Sequence, residues 1–221
     1  MTLTIPNILT ILRLLAAPGV AIMFLYFARP YADWYALILF VTAALTDFVD
    51  GYLARRWKQV TKLGTMLDPI ADKVMVVIAL MIISWLYGFK GVVVLPATVI
   101  LFREVFVSGL REFLGDTAGT LKVTVLAKWK TTVQLVAITV LFANGLFEHY
   151  LGMSYQGMGL EMAREVIAGN VEDEVGLVWK YHATSWSRDI GFTLLWLAAI
   201  LTAISGWDYF RKAQPHLKDE T

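Results

Sequence analysis

Cysteine is absent from the chain, which removes disulfides, zinc–thiolate centres, iron–sulfur clusters and thiol nucleophiles from consideration. Charge is scarce: 17% of residues are Asp, Glu, Lys or Arg, where a soluble domain carries about 25%. Histidine is scarcer still, and His149, His182 and His216 are too scattered to form a metal triad. Carboxylates, basic side chains and oxygen-bound metals are the chemistry that remains. What the chain does have is apolar surface, with 58% hydrophobic residues and a mean hydropathy of +0.63. Such a composition belongs in a bilayer. At about 20 residues per membrane helix, the length allows about five to seven spans and excludes a transporter built from two six-helix halves.

Apolar runs of membrane length predict spans near Ile11–Ala28, Trp34–Ala54, Met66–Tyr87, Val92–Leu114, Val125–Phe147 and Ile190–Phe210. The expected architecture is an all-α integral membrane protein, one domain over residues 1–221, with six transmembrane helices around a cytoplasm-facing polar cavity. Six spans put both termini on one side. Taking that side as cytoplasmic places Arg13, Arg55, Arg56, Lys58, Lys62, Lys73, Arg103, Arg111, Lys122, Lys128, Lys130, Arg211, Lys212 and Lys218 there. Only Arg29, Lys90, Arg164, Lys180 and Arg188 face the other way. The positive-inside rule selects this orientation. The first run has no basic residue before Arg13 and no convincing small-residue cleavage site, so it reads as a retained anchor. Residues 148–187 read as one long outer loop broken by Gly152, Gly157, Gly159, Gly169 and Gly176. Within it Leu160, Ala163, Val166 and Ile167 predict a short surface helix. Trp34, Tyr35, Trp85, Tyr87, Trp179, Tyr181 and Trp207 fall near the expected interfaces, as an aromatic belt does.

Four carboxylates stand where a membrane disfavours them. The second span ends in TDFVDGYLAR and the third begins GTMLDPIADK, so Asp47, Asp50, Asp68 and Asp72 all lie at cytoplasmic helix ends. A carboxylate inside a span costs about 2.5 kcal/mol or more. Asp47, Asp50 and Ala54 share one helix face, and Gly64, Asp68 and Asp72 share a face of the next. Four ionised carboxylates in one pocket repel unless cations sit among them, and oxygen donors alone suit Mg2+ or Mn2+, as a binuclear site. Gly51, Ala54 and Gly64 keep bulk out of the gap. Pro69 fits a first helical turn, with Thr65 as a possible N-cap. Arg55, just past the acidic face, suits a phosphate oxygen. The competing account, in which the aspartates cap helices and pair with nearby Arg and Lys, covers one or two of them but not four at matched spacing.

Written out, Asp47-x2-Asp50-Gly51-x2-Ala54-Arg55-x8-Gly64-x3-Asp68-x3-Asp72 resembles the signature of the CDP-alcohol phosphotransferases at all eight positions. The resemblance implies six membrane helices, often in a homodimer, and displacement of CMP from a CDP-linked lipid by an alcohol. It implies that Asp47, Asp50, Asp68 and Asp72 ligate two Mg2+ (or Mn2+) ions and that Asp72 also takes the alcohol's proton. By the same resemblance Asn7, Thr10, Gly51, Ala54, Arg55 and Thr61 lie at the CDP-lipid.

The acceptor is read from a second polar group. Arg103 and Arg111 lie eight residues apart on one face of the fourth span, and Lys128 and Lys130 open the fifth. Such cations suit an acceptor that is itself a phosphate ester, while interface snorkelling remains the other account of them. The segments Ile5–Arg13, Phe102–Glu112 and Ala127–Thr131 resemble the bacterial branch of the family that makes phosphatidylglycerophosphate. That implies CDP-diacylglycerol and sn-glycerol 3-phosphate as substrates, membrane lipids and a second copy of the chain as partners, no nucleic acid, and the bacterial inner membrane as location. Cardiolipin, phosphatidylinositol phosphate or phosphatidylserine synthesis are the alternatives within the family. A cation transporter is the alternative outside it, disfavoured because the acids cluster at one end of their spans rather than at mid-membrane.

Overall fold

The computed structural model describes residues 4–57, 61–115, 119 and 125–217, without the side chains of residues 48–55 and 125–128. Among the described residues the chain is all helical: α1 (Ile5–Tyr26), α2 (Tyr31–Arg56), α3 (Lys62–Leu86), α4 (Gly91–Leu114), α5 (Val125–Met158), α6 (Leu160–Ile167) and α7 (Leu177–Ala213), closed by a 3-10 turn over Gln214–Leu217. Four segments among them are long and apolar enough to cross a membrane: Ile5–Tyr26, Gly91–Leu114, Trp129–Met158 and Leu177–Leu217. The chain is a membrane protein. The helices that carry the aspartates, α2 and α3, are not among those four.

Each long helix delivers apolar residues, many of them alanine, to one core. Ala17 and Val20 come from α1, Ala36 and Phe40 from α2, Ala79 and Leu80 from α3, Ala97 and Ile100 from α4, Ile138 and Phe142 from α5, and Leu195 and Ala198 from α7. The alanines let backbones approach closely, which is how helices pack where lipid supplies no hydrophobic drive between them. Outward faces carry Leu15, Leu25, Phe102 and Val105, all exposed, as a lipid-facing surface requires. The packing is most extensive between α5 and α7, with α1 lying on α2 and α3 and α4 on α7.

Helix starts follow local chemistry. Thr4 caps α1 by accepting from the Asn7 amide, with Pro6 in the first turn. Thr61 caps α3, its hydroxyl accepting from the Gly64 amide at 3.0 Å. This corrects the expectation for Thr65, whose hydroxyl instead donates to the Thr61 carbonyl, and it puts Pro69 inside the helix rather than in its first turn.

The expected loop 148–187 is largely helical. α5 runs to Met158, α6 occupies the expected Leu160–Ile167, and α7 begins at Leu177, well before the anticipated Ile190. The glycines explain the miss. Gly159, Gly169 and Gly176 take positive φ and turn the chain, whereas Gly152 and Gly157 sit inside α5 with ordinary φ. Leu151, Ala163, Val166 and Leu177 close a small second core there, and that burial outweighs the weak helix propensity of glycine. The Asp173 carboxylate accepts from the amides of Val178 and Leu177 at the start of α7, and those bonds hold its pKa below the usual carboxylate range.

Buried polar groups lock the end of the bundle away from the aspartates. Arg29 grips Asp33 through two 2.8 Å bonds and donates to the Gly145 carbonyl. A Cβ on Gly145 would stand 2.5 Å from Asp33 Oδ1, so glycine is required there. Beside it the Tyr87 hydroxyl donates to Asn144 Oδ1 (2.7 Å), and Asn144 Nδ2 donates to the Thr184 carbonyl (2.7 Å) and to Ser187 Oγ (2.9 Å). One amide thus ties α5 to α7 and to the residue that ends α3. Asn144→Ala leaves these groups without their partner and is expected to destabilise the fold by about 1–3 kcal/mol, measured as a lowered unfolding temperature in detergent.

Candidate functional site

Three side chains on successive turns of α1, Asn7, Thr10 and Arg13, are 2%, 2% and 3% exposed. Each meets a motif aspartate or the residue that caps the helix carrying two of them. Asn7 Oδ1 accepts from the Thr61 hydroxyl at 2.8 Å. The Thr10 hydroxyl donates to Asp68 Oδ1 at 2.8 Å. Arg13 Nη1 donates to Asp47 Oδ1 at 2.5 Å and to Asp72 Oδ1 at 2.9 Å. The ascending order of these pairs means that α1 and α3 run parallel and start at the same level, with α2 returning antiparallel to bring Asp47 in. Gly64 makes the approach possible: a Cβ there would stand 2.8 Å from Asn7 Oδ1 and 3.3 Å from Thr61 Oγ1.

Arg13 lies behind the carboxylates. Its side chain is 2% exposed against 46% for Asp47 and 52% for Asp72, so the arginine closes the inner side and leaves the acids open outward. The structure brings Asp47, Asp68 and Asp72 together with Asn7, Thr10, Thr61 and Gly64. The side chains of Asp50, Gly51, Ala54 and Arg55 lie outside the described residues, as does that of Lys128. Among the described residues no three acidic or histidine side chains gather tightly enough to hold an ion. The donor set nevertheless fits a hard cation. Asp47 and Asp72 already converge on one cationic nitrogen, and every donor is oxygen.

Asp72 also opens onto a cavity of about 270 Å³ between α3, α4 and α5, whose far wall carries Arg103, Arg111 and Lys130. Arg103 and Arg111 therefore share a face, as their spacing predicts. Glu104 sits between two of these cations: its carboxylate accepts from Lys130 Nζ and, at 3.3 Å, from Arg103 Nη1. The Arg103 Nε is buried and has no acceptor among the described residues, a donor suited to an anion. Gly206 on α7 admits the Arg103 stem, since a Cβ there would be 2.7 Å from Arg103 Cγ. The Arg111 guanidinium stands 5.1 Å over the Tyr209 ring, which fixes it at the cavity rim. Lys73, on the same wall as Asp72, donates to Ser108 Oγ at 2.5 Å.

The CDP-alcohol phosphatidyltransferase family model matches residues 3–204, the helices that build both the acidic row and the cavity. The chain belongs to that family. Among curated relatives, a CDP-diacylglycerol--glycerol-3-phosphate 3-phosphatidyltransferase of Cereibacter sphaeroides is 60% identical over 220 residues, covering 100% of both chains. Proteins of the same name from Rickettsia bellii and Haemophilus influenzae are 34% and 33% identical, covering 96% and 99% of this chain and 96% and 98% of their own.

Within this family member, Arg13 and Glu104 are among the residues at the site that were not assigned to it from sequence. Arg13 reads as a topological charge until its partners are seen, and Glu104 reads as one polar residue among several. A signal for Arg13 existed in its three-residue spacing from Thr10 and Asn7, which puts it on the same helix face. Gly64→Ala is expected to separate Asn7 from Thr61 and to cost about 1–3 kcal/mol through overpacking, read as a drop in unfolding temperature.

Proposed function

We propose that the chain transfers the phosphatidyl group of CDP-diacylglycerol to sn-glycerol 3-phosphate, releasing CMP and forming phosphatidylglycerophosphate. The observation that supports this reading is the cavity in which Asp72 faces Arg103, Arg111 and Lys130. A phosphate-bearing acceptor fits it: the cations hold the phosphate by charge-assisted hydrogen bonds, and the free end of the molecule reaches Asp72. The names of the full-length relatives point to the same substrates.

In this reading the primary hydroxyl oxygen attacks the phosphorus attached to diacylglycerol. The bond from that phosphorus to the oxygen of CMP breaks in line, and CMP leaves with the bonding electrons. Asp72 accepts the hydroxyl proton. Arg13, bonded to the other oxygen of the carboxylate, fixes the direction in which Asp72 presents its free one. Asn7, Thr10, Gly51, Ala54, Arg55 and Thr61 form the side toward the CDP-lipid, and Lys128 joins the acceptor cations. Asp47, Asp50, Asp68 and Asp72 would hold two Mg2+ or Mn2+ ions, which neutralise the pyrophosphate and the departing CMP. The protein works as a homodimer of six-span chains in the bacterial inner membrane with the cavity open to the cytoplasm, a placement supported by the distribution of basic residues.

The test is CMP release by the purified protein with CDP-diacylglycerol and a panel of labelled alcohols: glycerol 3-phosphate, phosphatidylglycerol, inositol phosphate and serine. Glycerol 3-phosphate is expected to dominate, and excess chelator to abolish turnover. Asp72→Asn is expected to lose turnover while retaining most CDP-lipid binding; near-normal CMP release would overturn its role. Arg111→Ala is expected to raise the KM for glycerol 3-phosphate about ten- to a hundredfold, from the loss of about 1.5–3 kcal/mol, with little change in the KM for CDP-diacylglycerol.

A further inference from the structure

A phosphate held at one end and a hydroxyl presented at the other leave the middle of a three-carbon acceptor free to turn. Two points of attachment do not distinguish the two mirror-image glycerol phosphates, nor glycerol phosphate from its deoxy analogue. A third contact to the C2 hydroxyl does both. The cavity wall carries a buried acceptor for it.

Gln134 lies one turn beyond Lys130 on α5, lines the same cavity and is 3% exposed. Its Oε1 is buried and accepts no hydrogen bond among the described residues. Burying an amide oxygen without a donor costs about 1–3 kcal/mol, and such groups in native proteins call for an explanation. Other carboxylates and cations of the cavity wall already have partners of their own. Glu104 accepts from Lys130 and Arg103, and Lys73 donates to Ser108. Lysine and arginine cannot accept at all.

We infer that Gln134 is the specificity-determining contact for the secondary hydroxyl of the acceptor, its Oε1 accepting from the C2–OH while the cations hold the phosphate and Asp72 faces the primary hydroxyl. The inference rests on the glycerol 3-phosphate reading above. A site built to bond a hydroxyl rejects the analogue that lacks it, because the protein group is then left unpaired.

The experiment measures kcat/KM by CMP release for sn-glycerol 3-phosphate, its enantiomer sn-glycerol 1-phosphate, and 3-hydroxypropyl phosphate, which lacks only the C2 hydroxyl. The wild-type protein is expected to prefer sn-glycerol 3-phosphate by at least about tenfold over each. In Gln134→Leu both preferences are expected to fall toward unity. The same variant removes an unsatisfied buried group, so its unfolding temperature is expected to hold or rise. Gln134→Glu keeps an acceptor oxygen in nearly the same place and is expected to retain both preferences, although its added negative charge weakens all three substrates. Preferences that survive in Gln134→Leu, or a wild-type protein that does not discriminate, overturn the inference while leaving the reaction intact. A wild-type protein that releases no CMP with sn-glycerol 3-phosphate overturns the functional reading first.

Discussion

The ion pairs of Arg13 hold the acidic end of the bundle together. A guanidinium inside a membrane helix costs about 2.5–3.5 kcal/mol at the helix centre even on insertion scales, and the chain offsets that cost by giving one nitrogen two carboxylates from two other helices. Losing both carboxylates would leave an uncompensated buried charge, which is the expensive half of any such pair; with two, either one still compensates the guanidinium when the other is removed. The register of α1 against α2 and α3 is therefore set by charge as well as by packing. The Thr10 to Asp68 and Thr61 to Asn7 bonds follow from that register, since each lies about one turn from the next.

The two ends of the molecule solve different problems with similar materials. At the Asp33 and Asn144 end the bonds from Arg29 to Gly145 and from Asn144 to its neighbours tie separate elements together, and the Asp33 side chain is 1% exposed. At the Asp47 and Asp72 end the same kind of bonding is one-sided: Arg13 seals the inner faces, and the outer faces of the carboxylates stay accessible. Between the two ends α2 runs the fourteen residues from Asp33 to Asp47, about 21 Å of helix, through a core of alanine and branched residues. That separation lets one end be rigid scaffolding while the other keeps unspent polar capacity.

Much of this was legible in the sequence because helical spacing is informative. The rows Asp47, Asp50, Ala54 and Gly64, Asp68, Asp72 fix helix faces, and α6 was readable from Leu160, Ala163, Val166 and Ile167. Arg13 was not, because a lone arginine near the start of a span has the same pattern whether it serves topology or binds carboxylates; only the positions of Asp47 and Asp72 decide. Gln134 was invisible for a related reason: one amide in an apolar run carries no periodic signal, and what marks it is an empty acceptor in a shared cavity. The loop expectation failed because a count of glycines says nothing of φ. Only Gly159, Gly169 and Gly176 turn the chain, and the small core around Leu151 and Leu177 keeps the intervening segments helical.

The pairing of Arg13 with Asp47 also bears on how the protein enters the membrane. α1 emerges first and carries a cation into the bilayer, and its first partner arrives on the very next helix, so the α1 and α2 hairpin is charge-compensated as soon as it closes. Asp68 and Asp72 on α3 then meet Thr10 and Arg13 already in place on α1. Lys130 and Gln134 come only with α5, after Asp47, Asp68 and Asp72. Along the chain, then, Asp47, Asp68 and Asp72 each follow the α1 residue that partners them, and the cavity beside Asp72 takes its last wall from α5.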